Sequence, residues 1–217
     1  MTEPTPIVHV VDDDDSLRTA VMRLLRAAGY EVRGYSCAGE FLLAKPGQTS
    51  GCVVLDVRMP GPSGLKLHAA YGKQHDALPI IFLTGHGDIP MSVRAIKAGA
   101  VDFLTKPVQR KALLTAVQTA LVRDAEKRAA QHRARTLQSR YENLTRREQA
   151  VLAHVVAGKL NKQIATKLEI SERTVKAHRA KVMEKMQVTS LAELVLLAEQ
   201  LPKSTQPTEH GTLDPID

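Results

Sequence analysis

Two groups of carboxylates follow two short apolar runs. Ile7-Val8-His9-Val10-Val11 leads into Asp12-Asp13-Asp14-Asp15, and Cys52-Val53-Val54-Leu55 leads into Asp56. Runs this rich in β-branched side chains suit strands buried on both faces. Carboxylates at their C-terminal ends emerge at the edge where α/β sheets take ligands. Crowded carboxylates repel and hold protons unless a cation neutralises them, and hard oxygen donors suit Mg2+. The expected chemistry is metal-assisted handling of phosphate. Asp56 is the candidate nucleophile, because a carboxylate can accept a phosphoryl group as an acyl phosphate. Asp12 and Asp13 are the expected Mg2+ ligands, together with Asp56 itself and the backbone carbonyl of Arg58 just beyond it. Lys106 can pair with a new phosphate, and Thr84, ending another apolar run, can donate a hydroxyl to it. A solvated lysine and a turn-capping threonine are the plainer accounts of these two. Their joint placement at successive strand ends favours a shared site.

The elements that must position these residues are legible as an alternation. Apolar runs at 7–11, 31–35, 53–55, 79–83 and 101–104 alternate with amphipathic segments at 16–28, 39–44, 63–71, 89–98 and 108–122. Five strands each followed by a helix predict a parallel, doubly wound sheet with helices on both faces. Gly29 is placed to close the first helix, and Asp88 with Pro90 to open the fourth. From Ala112 to Ser139 there is no Gly or Pro, so the fifth helix is expected to continue as a connecting rod. Leu121, Ala125 and Ala129 form a thin seam on it, which suits either self-association or plain solvation.

After Tyr141 the period is helical throughout. Thr145 with Glu148 and Ser190 with Glu193 fit reciprocal capping boxes. Gly158 ends one helix, Asn161 opens a short one, and Ser171 opens a third, giving four compact helices. Asn161–Leu168 and Ser171–Met186, joined by about three residues, have the spacing of a helix-turn-helix. Packing Ile164, Ala165 and Leu168 against Val175, Val182 and Met186 leaves Arg173, Thr174, Lys176, Ala177, Ala180 and Lys181 largely outside. That face is basic and small-residued, fit for a major groove. Met183 and Met186 read as core, and His178 as a packed histidine more readily than a base reader. The stretch 202–217 is polar, with repeated Pro, and reads as disordered tail.

Charge agrees with this division. Residues 1–124 carry 14 Lys and Arg against 12 Asp and Glu, a net of +2, whereas residues 125–217 carry 16 against 11, a net of +5. A basic excess in the second half suits nucleic acid or an anionic surface. No apolar stretch approaches the ~20 residues that span a bilayer, and the first residues lack a secretory pattern. A cytoplasmic protein without membrane contact is expected. Cys37 and Cys52 lack metal or redox spacing and read as free thiols.

Five motifs in order resemble the receiver domain of two-component response regulators, over about residues 5–123. They are Val11-Asp12-Asp13-Asp14, Leu55-Asp56-Val57-Arg58-Met59-Pro60, Gly64, Thr84-Gly85-His86-Gly87-Asp88 and Asp102-Phe103-Leu104-Thr105-Lys106-Pro107. The fourth resembles the FixJ-type branch. Leu144-Thr145-Arg146-Arg147-Glu148, Gly158, Asn161-Lys162-Gln163-Ile164-Ala165 and Ile170 through His178 are similar to the LuxR-type helix-turn-helix, over about residues 143–200. The composition makes 124–142 a helical linker and 201–217 a disordered tail, and the resemblance implies a flavodoxin-like receiver (5–123) and an all-α four-helix DNA-binding domain (143–200). It implies that a histidine kinase passes its phosphoryl group to Asp56, that the Lys106–Pro107 peptide is cis, and that Phe103 is the aromatic whose ring moves inward when Thr84 shifts. In the second domain it implies Lys176, Ala177 and Ala180 toward base edges and Arg173, Thr174, Lys181 and Lys162 toward phosphates. The implied partners are the kinase, double-stranded DNA, RNA polymerase and, after phosphorylation, a second copy of the chain.

Enzymatic alternatives fit less well. Phosphatases that use an aspartyl phosphate carry Asp-x-Asp-x-Thr, and here Val57-Arg58-Met59 follows Asp56. Gly61-Pro62-Ser63-Gly64-Leu65-Lys66 has the wrong spacing for a P-loop. A constitutive DNA binder with a vestigial receiver would not need Asp12, Asp13, Asp56, Thr84 and Lys106 intact.

Overall fold

Residues 5–61, 63–72, 74, 76–85 and 89–201 are described by a computed structural model, the side chain of residue 89 apart. The chain divides into two units, residues 1–129 and 130–217. In the first, each predicted apolar run forms a strand: β1 (Ile7–Val11), β2 (Glu31–Tyr35), β3 (Gly51–Asp56), β4 (Ile80–Thr84) and β5 (Asp102–Thr105). All pairings are parallel, in the order β2-β1-β3-β4-β5. Between and after them run α1 (Asp15–Ala27), α2 (Ala38–Leu43), α3 (Gly64–Tyr71), α4 (Ile89–Lys97) and α5 (Arg110–Glu142). The sheet is parallel and doubly wound, as the alternation predicted, and its order is the flavodoxin-like one that the resemblance to receiver domains implied.

Period-two geometry sends successive side chains to opposite faces, and both faces are buried. On one face Val11, Val53, Leu55 and Phe82 pack with Tyr35, Phe41, Leu67 and Tyr71. On the other, Val8, Val10, Val54, Ile81 and Leu83 pack with Val21 and Leu25 of α1 and Leu113, Val117 and Ala120 of α5. Each such side chain contributes roughly 1.5–3 kcal/mol by leaving water. Gly29 closes α1 at φ 90°, and the Tyr30 N–H donates back to the Leu25 carbonyl at 3.2 Å. β4 starts one residue later than expected and takes in Thr84. Pro90 sits in the first turn of α4, while Asp88, predicted to help open it, lies outside the described residues, as do His86 and Gly87. Cys37 is an exposed free thiol; Cys52 is buried and free, its thiol pushed up to about 12 by burial and by the nearby Asp124 charge.

The second unit contains the end of α5 with α6 (Arg146–Val156), α7 (Asn161–Leu168), α8 (Glu172–Met186) and α9 (Leu191–Glu199). Thr145 and Glu148 form the full capping box: Glu148 N–H donates to Thr145 Oγ1 at 3.3 Å and Thr145 N–H to Glu148 Oε2 at 2.8 Å. The box expected at Ser190 differs. Ser190 Oγ accepts from Glu193 N–H at 3.1 Å, but the Glu193 carboxylate turns one residue further back, to the Thr189 N–H at 3.0 Å. Asn161 is the first residue of α7, as expected, and its Oδ1 accepts from Arg179 Nη1 at 2.8 Å. Leu201, expected at the start of the tail, is buried with Leu194 in this second core; residues 202–217, the rest of that tail, lie outside the described residues.

The helical composition of 112–139 does produce one uninterrupted helix, α5, of 33 residues. The stretch 124–142 is nevertheless not only a linker. Asp124 is buried beneath β3, accepting from the Gly51 N–H at 2.9 Å and from Arg128 Nε at 2.8 Å. Arg128 also donates to the Gly47 carbonyl at 3.2 Å and to that of Thr49, and Lys127 Nζ donates to the Ala77 carbonyl at 2.7 Å. Leu137 and Tyr141 belong to the second core. Of the small-residue seam, Ala125 and Ala129 are exposed and Leu121 is half-buried.

His9 faces the aromatic side of the sheet, between Tyr35 and Phe41, with Nδ1 2.9 Å from the Tyr35 hydroxyl. Burial, aided by the Arg33 charge, lowers its pKa from 6.5 to about 4. The folded chain therefore keeps His9 neutral while the unfolded chain takes up a proton below 6.5. Its contribution is fully present above that pH and is lost as pH falls toward 4. Relative to His9→Gln, the wild type should lose roughly 3 kcal/mol between pH 7 and 4, read from urea midpoints. Asp124→Ala should cost about 1–3 kcal/mol in the same assay, because it leaves the buried Gly51 N–H without its acceptor and takes a carboxylate from the half-buried Arg128. Glu126→Ala, one turn position away on the exposed surface, should change little.

Candidate functional site

The strand order reverses between β1 and β3, and that switch point is where open α/β sheets form their crevice. Val11 is in register with Leu55, so the next residues on each chain, Asp12 and Asp56, emerge side by side. Both are nearly inaccessible, at 1% and 6% exposure, while Asp13 is exposed. Lys106 follows β5 and reaches across, with Nζ 2.8 Å from Asp12 Oδ2 and 3.0 Å from Asp56 Oδ2. One oxygen of each of Asp12, Asp13 and Asp56 lies within 4.8 Å of the other two. Four of the residues predicted to share a site, Asp12, Asp13, Asp56 and Lys106, are thus brought together.

The electrostatics follow from crowding. Burial raises the Asp12 pKa and the Asp56 charge adds to it, against the Lys106 ammonium and the Asp14 N–H, which favour the carboxylate. Burial alone would lower the Lys106 pKa, but its hydrogen bonds to Asp12 and Asp56 outweigh it and the ammonium is held more firmly than usual. Three carboxylates against one ammonium leave an excess of negative charge on hard oxygen donors. The donor set fits a divalent ion such as Mg2+.

The supporting turns are tight. The Arg58 N–H donates to Asp56 Oδ1 at 3.3 Å, and the Gly64 N–H to the Val57 carbonyl at 3.0 Å. A Cβ on Gly64 would lie 2.2 Å from the Asp56 carbonyl oxygen, so only glycine allows α3 to start this close to the strand end. Thr84 is fully buried at the end of β4, and its carbonyl accepts from the Lys106 N–H at 2.7 Å. Lys106–Pro107 is cis. Phe103 is half-buried on β5, its ring centroid 6.1 Å from that of Phe82 and tilted by 51°.

The run of four aspartates divides into two tasks. Asp12 and Asp13 face the crevice. Asp14 caps α1, its Oδ1 accepting from the N–H groups of Ser16 at 3.0 Å and Leu17 at 3.1 Å. Asp15 pairs with Arg18, whose Nη1 also donates to the Asp12 carbonyl at 2.6 Å. Sequence reasoning passed over Arg18, although the i, i+3 spacing of Asp15 and Arg18 is a readable helix-surface pair.

In the second unit, α7 and α8 are joined through Glu169, which adopts left-handed φ 53°, and the Ile170 N–H donates to the Ala165 carbonyl at 3.1 Å. Ser171 caps α8. Ile164, Ala165 and Leu168 pack with Val175, Val182 and Met186 as expected, and Met183 lies against the same core. Arg173, Lys176, Ala177, Ala180 and Lys181 are exposed along α8, and Lys162 on α7. Thr174 is half-buried, its Oγ1 2.8 Å from the Ser171 hydroxyl, and His178 is half-buried rather than packed away. Two ties on α8 were not legible. Lys185 Nζ lies 2.7 Å from the buried Glu148 carboxylate and donates to the Asn143 carbonyl at 3.2 Å, and Arg179 reaches Asn161. Their partners are too distant in sequence for any spacing rule.

Two protein families match separate stretches of the chain. The response regulator receiver domain matches residues 8–118, and the luxR family of bacterial regulatory proteins matches residues 142–198. Nodulation protein W of Bradyrhizobium diazoefficiens is 47% identical over 203 residues, covering 94% of this chain and 89% of that protein. Response regulator protein TodT of Pseudomonas putida is 44% identical over 206 residues, 95% of this chain and 91% of its own. Among solved structures, response regulator StyR superposes with TM-score 0.83 at 48% identity, covering 91% of this chain and all of that one. Full-length FixJ from B. japonicum gives TM-score 0.54 at 40% identity, covering 92% and 98%. With these matches spanning both units, the chain belongs to the two-component response regulators that join a receiver domain to a LuxR-type DNA-binding domain.

Proposed function

We propose that Asp56 accepts a phosphoryl group from a histidine kinase and that the change controls pairing and DNA binding. The observation that carries this reading is Lys106 bridging Asp12 and Asp56 at the switch point between β1 and β3. An Asp56 carboxylate oxygen attacks phosphorus, the O–P bond forms as the N–P bond to the donor imidazole breaks, and the imidazole leaves with the electron pair. Asp12, Asp13, Asp56 and the Arg58 carbonyl would hold Mg2+, which supplies neutralising charge for the transferring group. Lys106 can leave Asp12 and pair with the new phosphate, and the Thr84 hydroxyl can turn toward it. The added charge, about −1.5 to −2, thereby pulls on β4 and β5, where Phe103 packs against Phe82. The surface that responds is α4 with the start of α5, where Val93 and Ile96 are exposed at 45% and 47%. A phosphorylated pair would then present two α8 helices to a repeated half-site.

In this reading residues 5–123 form the receiver, with α5 anchored to it as far as Arg128, and residues 143–200 form the DNA-binding domain. Lys176, Ala177 and Ala180 face base edges; Lys162, Arg173, Thr174 and Lys181 face phosphates, with His178 between. Kinase, DNA and RNA polymerase are met in the cytoplasm, and among the described residues no helix is long and apolar enough to cross a membrane.

Incubation with acetyl phosphate and Mg2+ should give one hydroxylamine-sensitive phosphate on Asp56 by mass spectrometry and a shift toward dimer in sedimentation. Asp56→Asn should abolish both, and an unchanged adduct in that variant would overturn the assignment. Lys162→Ala should weaken binding to all DNA alike and reduce the slope of log K against log salt by about 1. Lys176→Ala should instead cost about 1–3 kcal/mol at the specific site and relax the base preference there.

A further inference from the structure

The loop carrying Asp12 and Asp13 is held by one side chain that none of the roles above uses. Arg18 is on the second turn of α1, and its side chain is only 15% exposed. One guanidinium nitrogen donates to the backbone carbonyl of Asp12 at 2.6 Å, and the other pairs with the carboxylate of Asp15. Asp14, between them, caps α1 with its carboxylate, and its own N–H donates to Asp12 Oδ1 at 3.0 Å. The guanidinium is thus fastened at both ends of the turn that leads from β1 into α1. Its fork is planar and rigid, so both contacts fix one loop geometry. Asp13, the exposed member of the carboxylate group, has no side-chain bond among the described residues to set its direction; the closed turn does so. Opening that turn would let like charges on Asp12, Asp13 and Asp56 move apart, which repulsion favours.

We infer that Arg18 is a positioning residue for the divalent-cation site: it holds the turn closed against carboxylate repulsion, so that the acid pair is preset beside Asp56. This rests on the reading of Asp12, Asp13 and Asp56 as Mg2+ ligands. Outer partners that orient metal ligands characteristically change affinity by about 10–100-fold when removed. Arg18 supports the ligands without touching phosphate, so its loss should appear in the cation requirement and not in the limiting rate of phosphorylation.

The test is isothermal titration of unphosphorylated full-length protein with MgCl2, for wild type, Arg18→Met, Arg18→Lys and Asp15→Asn. Arg18→Met should weaken Mg2+ by about ten-fold or more. Arg18→Lys, which can still reach the Asp12 carbonyl, should recover part of the loss. Asp15→Asn removes only the exposed end of the clamp and should give a smaller loss in the same direction with unchanged folding, which keeps the test valid if Arg18→Met is poorly folded. With acetyl phosphate, Arg18→Met should reach the wild-type rate at saturating Mg2+. Equal Mg2+ affinity in wild type and both Arg18→Met and Asp15→Asn would overturn the positioning role and leave the metal site standing. Failure of the wild type itself to bind Mg2+ would overturn the metal reading and this inference with it.

Discussion

Repulsion among carboxylates is the constraint around which the receiver is arranged. Strands β1 and β3 end together because they are adjacent and in register, and each ends in aspartate. Nothing about hydrophobic packing asks for that; the packing in fact makes it worse, since burial raises the cost of each charge. Lys106 is the chain's own answer, reaching both buried acids from the strand after next. One ammonium does not balance three carboxylates, so an excess of negative charge remains on hard oxygen donors, an arrangement that a divalent cation fits. The supporting geometry then follows: a glycine where α3 must begin against the strand end, and a buried hydroxyl at the end of β4.

Much of this is legible in the amino-acid sequence, because the receiver's instructions are local. Alternating apolar runs gave five strands in place, with β1 and β2 matching residue for residue. Acidic strand ends gave the cluster, since parallel strands all end at the same edge. What escaped was non-local. Asp124 looked like part of a charged linker, because its partner, the Gly51 N–H, is 73 residues away. The Glu148–Lys185 pair is separated by 37. The Ser190 box was half right because spacing places a glutamate near a helix start but does not choose between two adjacent N–H donors. The outward face of α8 was legible because a 3.6-residue period with three buried positions leaves its opposite side determined.

The second unit relies on polar ties as well as on its apolar core. α8 is held by Val175, Val182 and Met186 from within and by Lys185 and Arg179 from its flanks. Glu148 completes a helix cap and receives Lys185 on the same oxygen, and these hydrogen bonds outweigh its burial and hold its carboxyl below the usual range. Arg173, Lys176 and Lys181 of α8 stay exposed and take no part in these ties among the described residues.

The anchoring of Asp124 and Arg128 bears on how such chains can be cut and recombined. A fusion breakpoint at residue 123 would look natural from composition, yet it would strip the Gly51 N–H of its buried acceptor and the loop carbonyls of Gly47 and Thr49 of their guanidinium. A breakpoint just after Arg128 preserves all of these bonds. The usable seam for grafting this receiver onto a different output module therefore lies inside a helix, past the point where the sheet has ended.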